Sequence, residues 1–298
     1  MTQTLRTPEA RFQGLADYPF RPHYLELGEG EGAGLRMHYL DEGTARLGEV
    51  LLLHGQGSWS YIYRHMIPVL VAAGFRVLAP DFIGFGRSDK PADAGLHTHA
   101  NHVRWLGEFV DQVAMPGVHA FCFDWGGHFA MRLATGRPAR FGRLIYSNAQ
   151  PPLANPDGRK WFLDWRARMF AAPAFPISGM VQEGVLRTLS PAEIAGYEAP
   201  FPDEPYKLGP RTFPLIHPVV LEGAEAELYA LAWAEMRGWT QPFLTLFCER
   251  EARNAAALQA HIPGAAGLPH RLVPHCSFFL QEDQSPALAE NIVGFLMT

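Results

Sequence analysis

"FCFDWGGHFAMRLA", residues 121–134, sets an apolar run directly against a helical pattern, with Asp124 at the junction. The run predicts a strand, and the apolar spacing beyond Gly127 predicts a helix that starts at once. Gly126 and Gly127 are small enough for the chain to turn sharply and expose one side chain, as a nucleophile elbow requires. Here the elbow residue is a carboxylate. A helix N-terminus stabilises its charge, and neighbouring backbone N–H groups can form an anion hole. The same residues also fit an ordinary helix with Asp124 as its N-cap, and the pattern alone does not separate the two readings.

Outward from this junction, apolar runs alternate with amphipathic stretches. "YLELGEGEGAGLRMHYLDEG" (24–43) reads as a hairpin of two strands. Its Gly28, Gly30, Gly32 and Gly34 precede no helix, so they do not read as a phosphate loop. Six further strands follow: "VLLLHG" (50–55), "FRVLAPD" (75–81), "VHAFCFD" (118–124), "RLIYSNA" (143–149), "FLTLFCE" (243–249) and "HRLVP" (270–274). Helical patterns such as 102–114 and 126–138 separate most of them. Continuous apolar strands with crossover helices predict a mostly parallel, eight-stranded sheet covered on both faces. In such sheets ligands bind at the carboxyl ends of the strands. Residues 152–228 lack comparable strands and are rich in Pro and aromatics; they read as a helical cap inserted after strand six. "SPAE" (190–193) within it is a helix start, with Ser190 as N-cap and Glu193 three residues on. The core is then 1–151 with 229–298.

A chain of 298 residues can bury a large core, and 48% hydrophobic with 18% charged residues excludes a disordered chain. A net charge of −5 without a Lys/Arg-rich run provides no electrostatic footprint for nucleic acid. Three cysteines, Cys122, Cys248 and Cys276, do not make a disulfide framework and read as small buried residues in a reducing compartment. The N-terminal "MTQTLRTPEARFQG" lacks the apolar region of a secretory signal, and no run approaches the ~18 apolar residues of a membrane span. A cytoplasmic location is the expectation. His97, His99 and His102 in "HTHANH" read as a solvated helix start rather than a metal cluster.

Two further segments surround the junction. "HGQGSWSYIYR" (54–64) ends a strand where the backbone N–H of Gln56 can complete an anion hole, and "APDFIGFGRSDKP" (79–91) is a Gly-punctuated loop after another. Together with "DWGG" (124–127), "WR" (165–166), "YEAPFP" (197–202), "RTFP" (211–214) and "FLQED" (279–283), these resemble the haloalkane dehalogenases of the α/β-hydrolase fold over nearly the whole chain. The resemblance implies that Asp124 attacks a halogen-bearing carbon to form an alkyl-enzyme ester, which an activated water then hydrolyses. It implies a small apolar halogenated substrate, a halide and water as partners, and no cofactor or metal. Trp125 matches the first halide-binding indole and Trp165 the second, with Trp161 as the runner-up. The backbone N–H groups of Gln56 and Trp125 match the anion hole, and the Gln56 side chain is a candidate for positioning substrate or halide. Asn148 ends strand six beside the site without an assigned role.

Two loops depart from that family. Glu251 falls at the acid position, where the family usually carries Asp, and Ala252 stands where Pro is expected; Glu249 is the alternative acid, and either glutamate also reads as a solvated surface charge. The ungapped "FLQED" places Phe278 at the position of the catalytic His. Phenylalanine cannot take a proton, so the hydrolysis step is expected to be impaired. His275, three residues upstream, is the possible substitute base, and His270 lies farther away. Two other readings remain open. An epoxide hydrolase would use the same carboxylate with a cap tyrosine, Tyr197 or Tyr206, as proton donor. An inactive relative would keep the pocket to bind a small apolar ligand.

Overall fold

The structure, a computed structural model, describes residues 3–151 and 156–298. Its spine is an eight-stranded sheet: β1 (His23–Glu26), β2 (Arg36–Glu42), β3 (Glu49–Leu53), β4 (Arg76–Pro80), β5 (Val118–Phe123), β6 (Phe141–Ser147), β7 (Phe243–Cys248) and β8 (Arg271–Val273). The spatial order is β8-β7-β6-β5-β3-β4-β2-β1. The six strands from β8 to β4 are parallel, and the hairpin β1–β2 adds antiparallel at the β4 edge. Every residue of β3 and β7 is buried, which explains why they are apolar apart from Glu49 and Thr245: both faces of the sheet are covered. A separate short ribbon pairs Thr4–Leu5 with Lys90–Pro91.

On one face lie α2 (His99–Val113), α3 (Trp125–Gly136), α8 (Gly223–Met236) and α9 (Ala252–His261), packed through Trp105, Phe109, Phe129, Trp233 and Leu258. On the other, α1 (Ile67–Ala72) packs against α11 (Ser285–Leu296) through Leu70, Ile292 and Phe295. Chain order reverses at the centre: β3 continues outward to β4, whereas β5 returns to its other side. That reversal opens a crevice at the carboxyl ends of β3 and β5, where a ligand site is expected in a doubly wound sheet.

The cap contributes α4 (Pro156–Ala171), α5 (Ile177–Glu183), α6 (Pro191–Glu198) and α7 (Leu208–Thr212). The expected start of the insertion, residue 152, lies outside the described residues. Ser190 and Glu193 form a reciprocal capping box at the start of α6, as their spacing predicts. The expected end at 228 falls inside α8, an unbroken helix. Tyr229 on it meets His128 and Glu225 meets Arg132, both on α3, so packing on the core holds the whole helix together there. The expectation of solvated histidines in "HTHANH" is corrected. His97, His99 and His102 are buried instead of solvated: α2 turns His99 toward Phe129 and Tyr229 and His102 toward Trp105, Phe129 and Phe213, while His97, just before the helix, stacks on the His102 ring at 5.5 Å. Among the described residues no group of three or more His, Cys, Asp or Glu is arranged to hold a metal ion. Among them, too, no helix is long and apolar enough to cross a membrane.

Candidate active site

Asp124 does not cap α3. Its backbone sits at φ 50°, ψ −115°, and its side chain makes no cap hydrogen bond. A non-glycine residue held in so sparsely populated a region is strained, and such strain gathers at functional sites. The surrounding glycines make the bend possible. A Cβ at Gly55 would lie 2.5 Å from Asp124 Oδ2, one at Gly126 2.4 Å from the Leu53 carbonyl, and one at Gly127 2.5 Å from the Ala149 methyl. The elbow is pinned by the Asp124 N–H donating to Ser147 O at 3.1 Å and the Gly126 N–H donating to His54 O at 3.1 Å.

The carboxylate points into the crevice, where the Gln56 N–H donates to Oδ2 at 2.9 Å. Burial pushes the Asp124 carboxyl up to about 7; the N–H groups of Gln56 and Trp125 oppose that rise, and Glu251 adds to it. Nearby His54 is not a base. Its Nε2 accepts from the Phe82 N–H at 3.0 Å, its Nδ1 pairs with Gly55 O at 3.0 Å, and burial pulls it down to about 4. It holds two loops in place as a neutral ring.

A cavity of about 460 Å³ opens over Asp124 beneath the cap, and Trp125, Trp165, Glu251 and Phe278 line it. Trp125 is buried against Phe213, with ring centroids 4.6 Å apart. Trp165 is half-buried on α4, beside Phe162 at 5.8 Å; Trp161 also borders the cavity but is 57% exposed. Glu251 reaches the cavity half-buried, its Oε2 accepting from Asn254 Nδ2 at 2.5 Å, and burial raises its carboxyl. Glu249 is exposed and does not line the cavity.

His275 does not reach the site. It is exposed, in a left-handed turn at φ 53°, and absent from the cavity wall. His270 is likewise outside, tied to Thr245 and Ala265. Tyr197, an expected epoxide donor, is fully buried and donates to Glu282, while Tyr206 packs against the cluster around Phe175; neither faces the cavity. The Gln56 side chain also lines the cavity, but its Nε2 is taken up by Pro210 O of α7 at 2.7 Å.

Sequence reasoning left Asn148 without a role, and the structure provides one. At φ 44° it donates from Nδ2 to Phe278 O at 2.8 Å and accepts at Oδ1 from the Cys248 N–H at 3.0 Å. It thereby ties the ends of β6 and β7 to the loop carrying Phe278. Among the cavity residues that the sequence did not mark are His128 and His217. The first stands four residues after Asp124, one helical turn along α3, a spacing that could have revealed it. The second comes from the cap, and no local pattern marks it.

Residues 49–204 match the family described as alpha/beta hydrolase fold. A haloalkane dehalogenase of Psychrobacter cryohalolentis is 43% identical over 295 residues, covering 98% of this chain and 97% of that protein. One from Mycobacterium marinum is 41% identical over 294 residues, covering 98% and 99%. The tetrameric structure of haloalkane dehalogenase DpaA from Paraglaciecola agarilytica aligns with a TM-score of 0.87 at 30% identity, over 99% of this chain and all of that one. Likeness in sequence over nearly the full length and likeness in fold agree: the chain belongs to the haloalkane dehalogenase family of the α/β-hydrolase fold.

Proposed function

We propose that this protein cleaves the carbon–halogen bond of small halogenated compounds through Asp124 and completes the second half of the reaction slowly. The observation that carries the reading is the buried carboxylate on a strained elbow, sharing one cavity with the indoles of Trp125 and Trp165. The Asp124 oxygen attacks carbon in line; a C–O bond forms as the carbon–halogen bond breaks, and the halide leaves with the bonding pair. The indole N–H groups of Trp125 and Trp165 receive it. They are uncharged donors, suited to a large and weakly hydrated anion. Water must then add to the ester carbonyl, with the Gln56 and Trp125 N–H groups holding the oxyanion.

That addition needs a base, and Phe278 occupies its position. Its ring lies in the cavity wall with Asp124 and Glu251, 5.3 Å from Phe123, and carries no group able to accept a proton. Glu251 is the residue at the acid position, left without an imidazole to orient. The first half-reaction survives these changes because it needs no proton transfer. The protein then releases about one halide per chain before it stalls as the covalent ester.

Intact-protein mass spectrometry at pH 8 after incubation with 1-bromobutane tests this. The expected result is a gain of one butyl group, located on Asp124, with about one bromide released per chain. Phe278→His is expected to lose the adduct and turn over repeatedly. Absence of any mass gain on the unmodified chain would point to a ligand-binding role instead. Sustained turnover by the unmodified chain would overturn the assignment of Phe278 as the blocking residue.

A further inference from the structure

His128 and His217 stand together in the wall of the cavity that holds Asp124 and Trp125. Their ring centroids are 5.0 Å apart at 84°, and each meets Trp125 edge to face, at 5.8 and 5.3 Å. Phe162 stacks on His217 at 4.1 Å. Both are nearly closed off, with exposures of 3% and 7%, and burial keeps both rings neutral at physiological pH.

Their hydrogen bonds decide which nitrogen carries the proton. His217 Nδ1 accepts from the Val219 N–H at 3.2 Å, which leaves the proton on Nε2. His128 Nδ1 meets the Tyr229 hydroxyl at 2.7 Å. A phenol donates more readily than it accepts, so Tyr229 donates to Nδ1 and His128 also keeps its proton on Nε2. That Nε2 is buried and has no hydrogen-bond partner in the protein. A ring N–H buried without a partner is costly, and an apolar side chain would fill the same space without that cost. A cavity meant for hydrocarbon alone has no use for such a donor, or for a second imidazole N–H beside it.

We propose that His128 and His217 form a subsite beside the halide position that receives a neutral, hydrogen-bond-accepting oxygen of the substrate. The preferred substrate class is then a halogenated ether or carbonyl compound rather than a plain haloalkane. The inference rests on the proposed carbon–halogen cleavage and specifies its substrate. A site built to hydrogen-bond an oxygen discriminates strongly against the analogue that lacks it.

The test compares 1-bromo-2-methoxyethane with 1-bromobutane, which match in length and differ by an ether oxygen in place of a methylene. Alkylation of Asp124, followed by mass, is expected to favour the ether at least tenfold. In His128→Phe and in His217→Leu that ratio is expected to collapse toward one. A ratio near one in the unmodified protein, or one unchanged in both variants, overturns the subsite. A second measurement needs no alkylation: ¹⁵N spectra of the imidazoles in the unmodified protein, titrated with 1,2-dimethoxyethane and separately with n-pentane. The Nε2 resonances of His128 and His217 should shift with the ether and stay in place with the alkane. If both ligands leave them in place, the subsite is wrong even where alkylation works. If they shift with the ether while neither bromide labels Asp124, the cleavage reading fails and the oxygen-binding site stands.

Discussion

At Asp124 two costs coincide, a backbone at φ 50° and a carboxyl removed from water. The second has a definite pH dependence. The unfolded chain ionises this group near its ordinary value of 3.8, whereas the folded protein keeps it protonated up to about 7. Stability therefore falls as pH rises through that window, and above it the penalty is on the order of 4 kcal/mol. Asp124→Asn removes the penalty. It should melt higher than the unmodified protein at pH 8, with the difference shrinking toward pH 4; thermal melts across that range measure it. An equal difference at all pH values would mean that water reaches the carboxylate. The alkylation rate depends on the same ionisation and should rise as pH climbs through 7.

Between elements, the cap is fastened to the core by a buried ionic cluster. Arg64, in the loop after β3, is fully buried and bonds Glu282 of α10 (Leu280–Asp283) at 2.5 and 2.9 Å. It also reaches Glu193 of α6 at 3.0 Å, and Arg187 bridges Glu193 and Glu282 at 2.6 and 2.7 Å. Hydrogen bonds from Arg187 hold the Glu193 carboxyl down to about 2. Tyr197 completes the cluster from the cap side. Removing one member of a buried pair strands the other charge. Glu282→Gln is expected to destabilise by about 3 kcal/mol, at the lower end for such losses because Glu193 still faces Arg64. Urea unfolding would show this as a lower midpoint. Breaking the exposed Lys160–Asp164 pair should leave that midpoint where it is. This layer of the structure was only partly legible in the chain. The central strands stood out because burial on both faces leaves long apolar runs, and the helix start at Ser190 because capping is local. The acidic partners of Arg64, the acceptor of Tyr197 and the ring neighbours of His217 lie far off in sequence, and no spacing rule connects them.

Across the whole molecule, burial also governs the response to acid. His54 and His97 are pulled down to about 4, His128 to about 3, and His99, His102 and His217 well below their ordinary value, all chiefly by burial. Unfolded, each takes a proton near pH 6.5; folded, each stays neutral. Stability is therefore lost as pH falls below 6.5, by about 1.4 kcal/mol per pH unit for each proton taken up. Asp124 works in the opposite sense but is a single group. The melting temperature should drop steeply between pH 6.5 and 5, with proton uptake on unfolding visible in calorimetry across buffers of different ionisation enthalpy. A flat profile would mean that these rings are hydrated. Their burial escaped the sequence reading because a histidine at a helix start fits solvent and core equally well. The elbow at Asp124 was half legible: Gly126 and Gly127 marked it, an ordinary helix cap fitted the same residues, and the backbone at φ 50° separates the two. Asn148, finally, grips the loop at 278 through a backbone carbonyl alone, so it fixes a location and ignores the identity of the side chain there. A lineage can change residue 278 without losing the frame around it. In the genetic code Phe and His are separated by more than one base change, with Tyr and Leu as the intermediate codons. A change from Phe278 to His by way of Phe278→Tyr would pass through a side chain with an ionisable hydroxyl at the cavity wall.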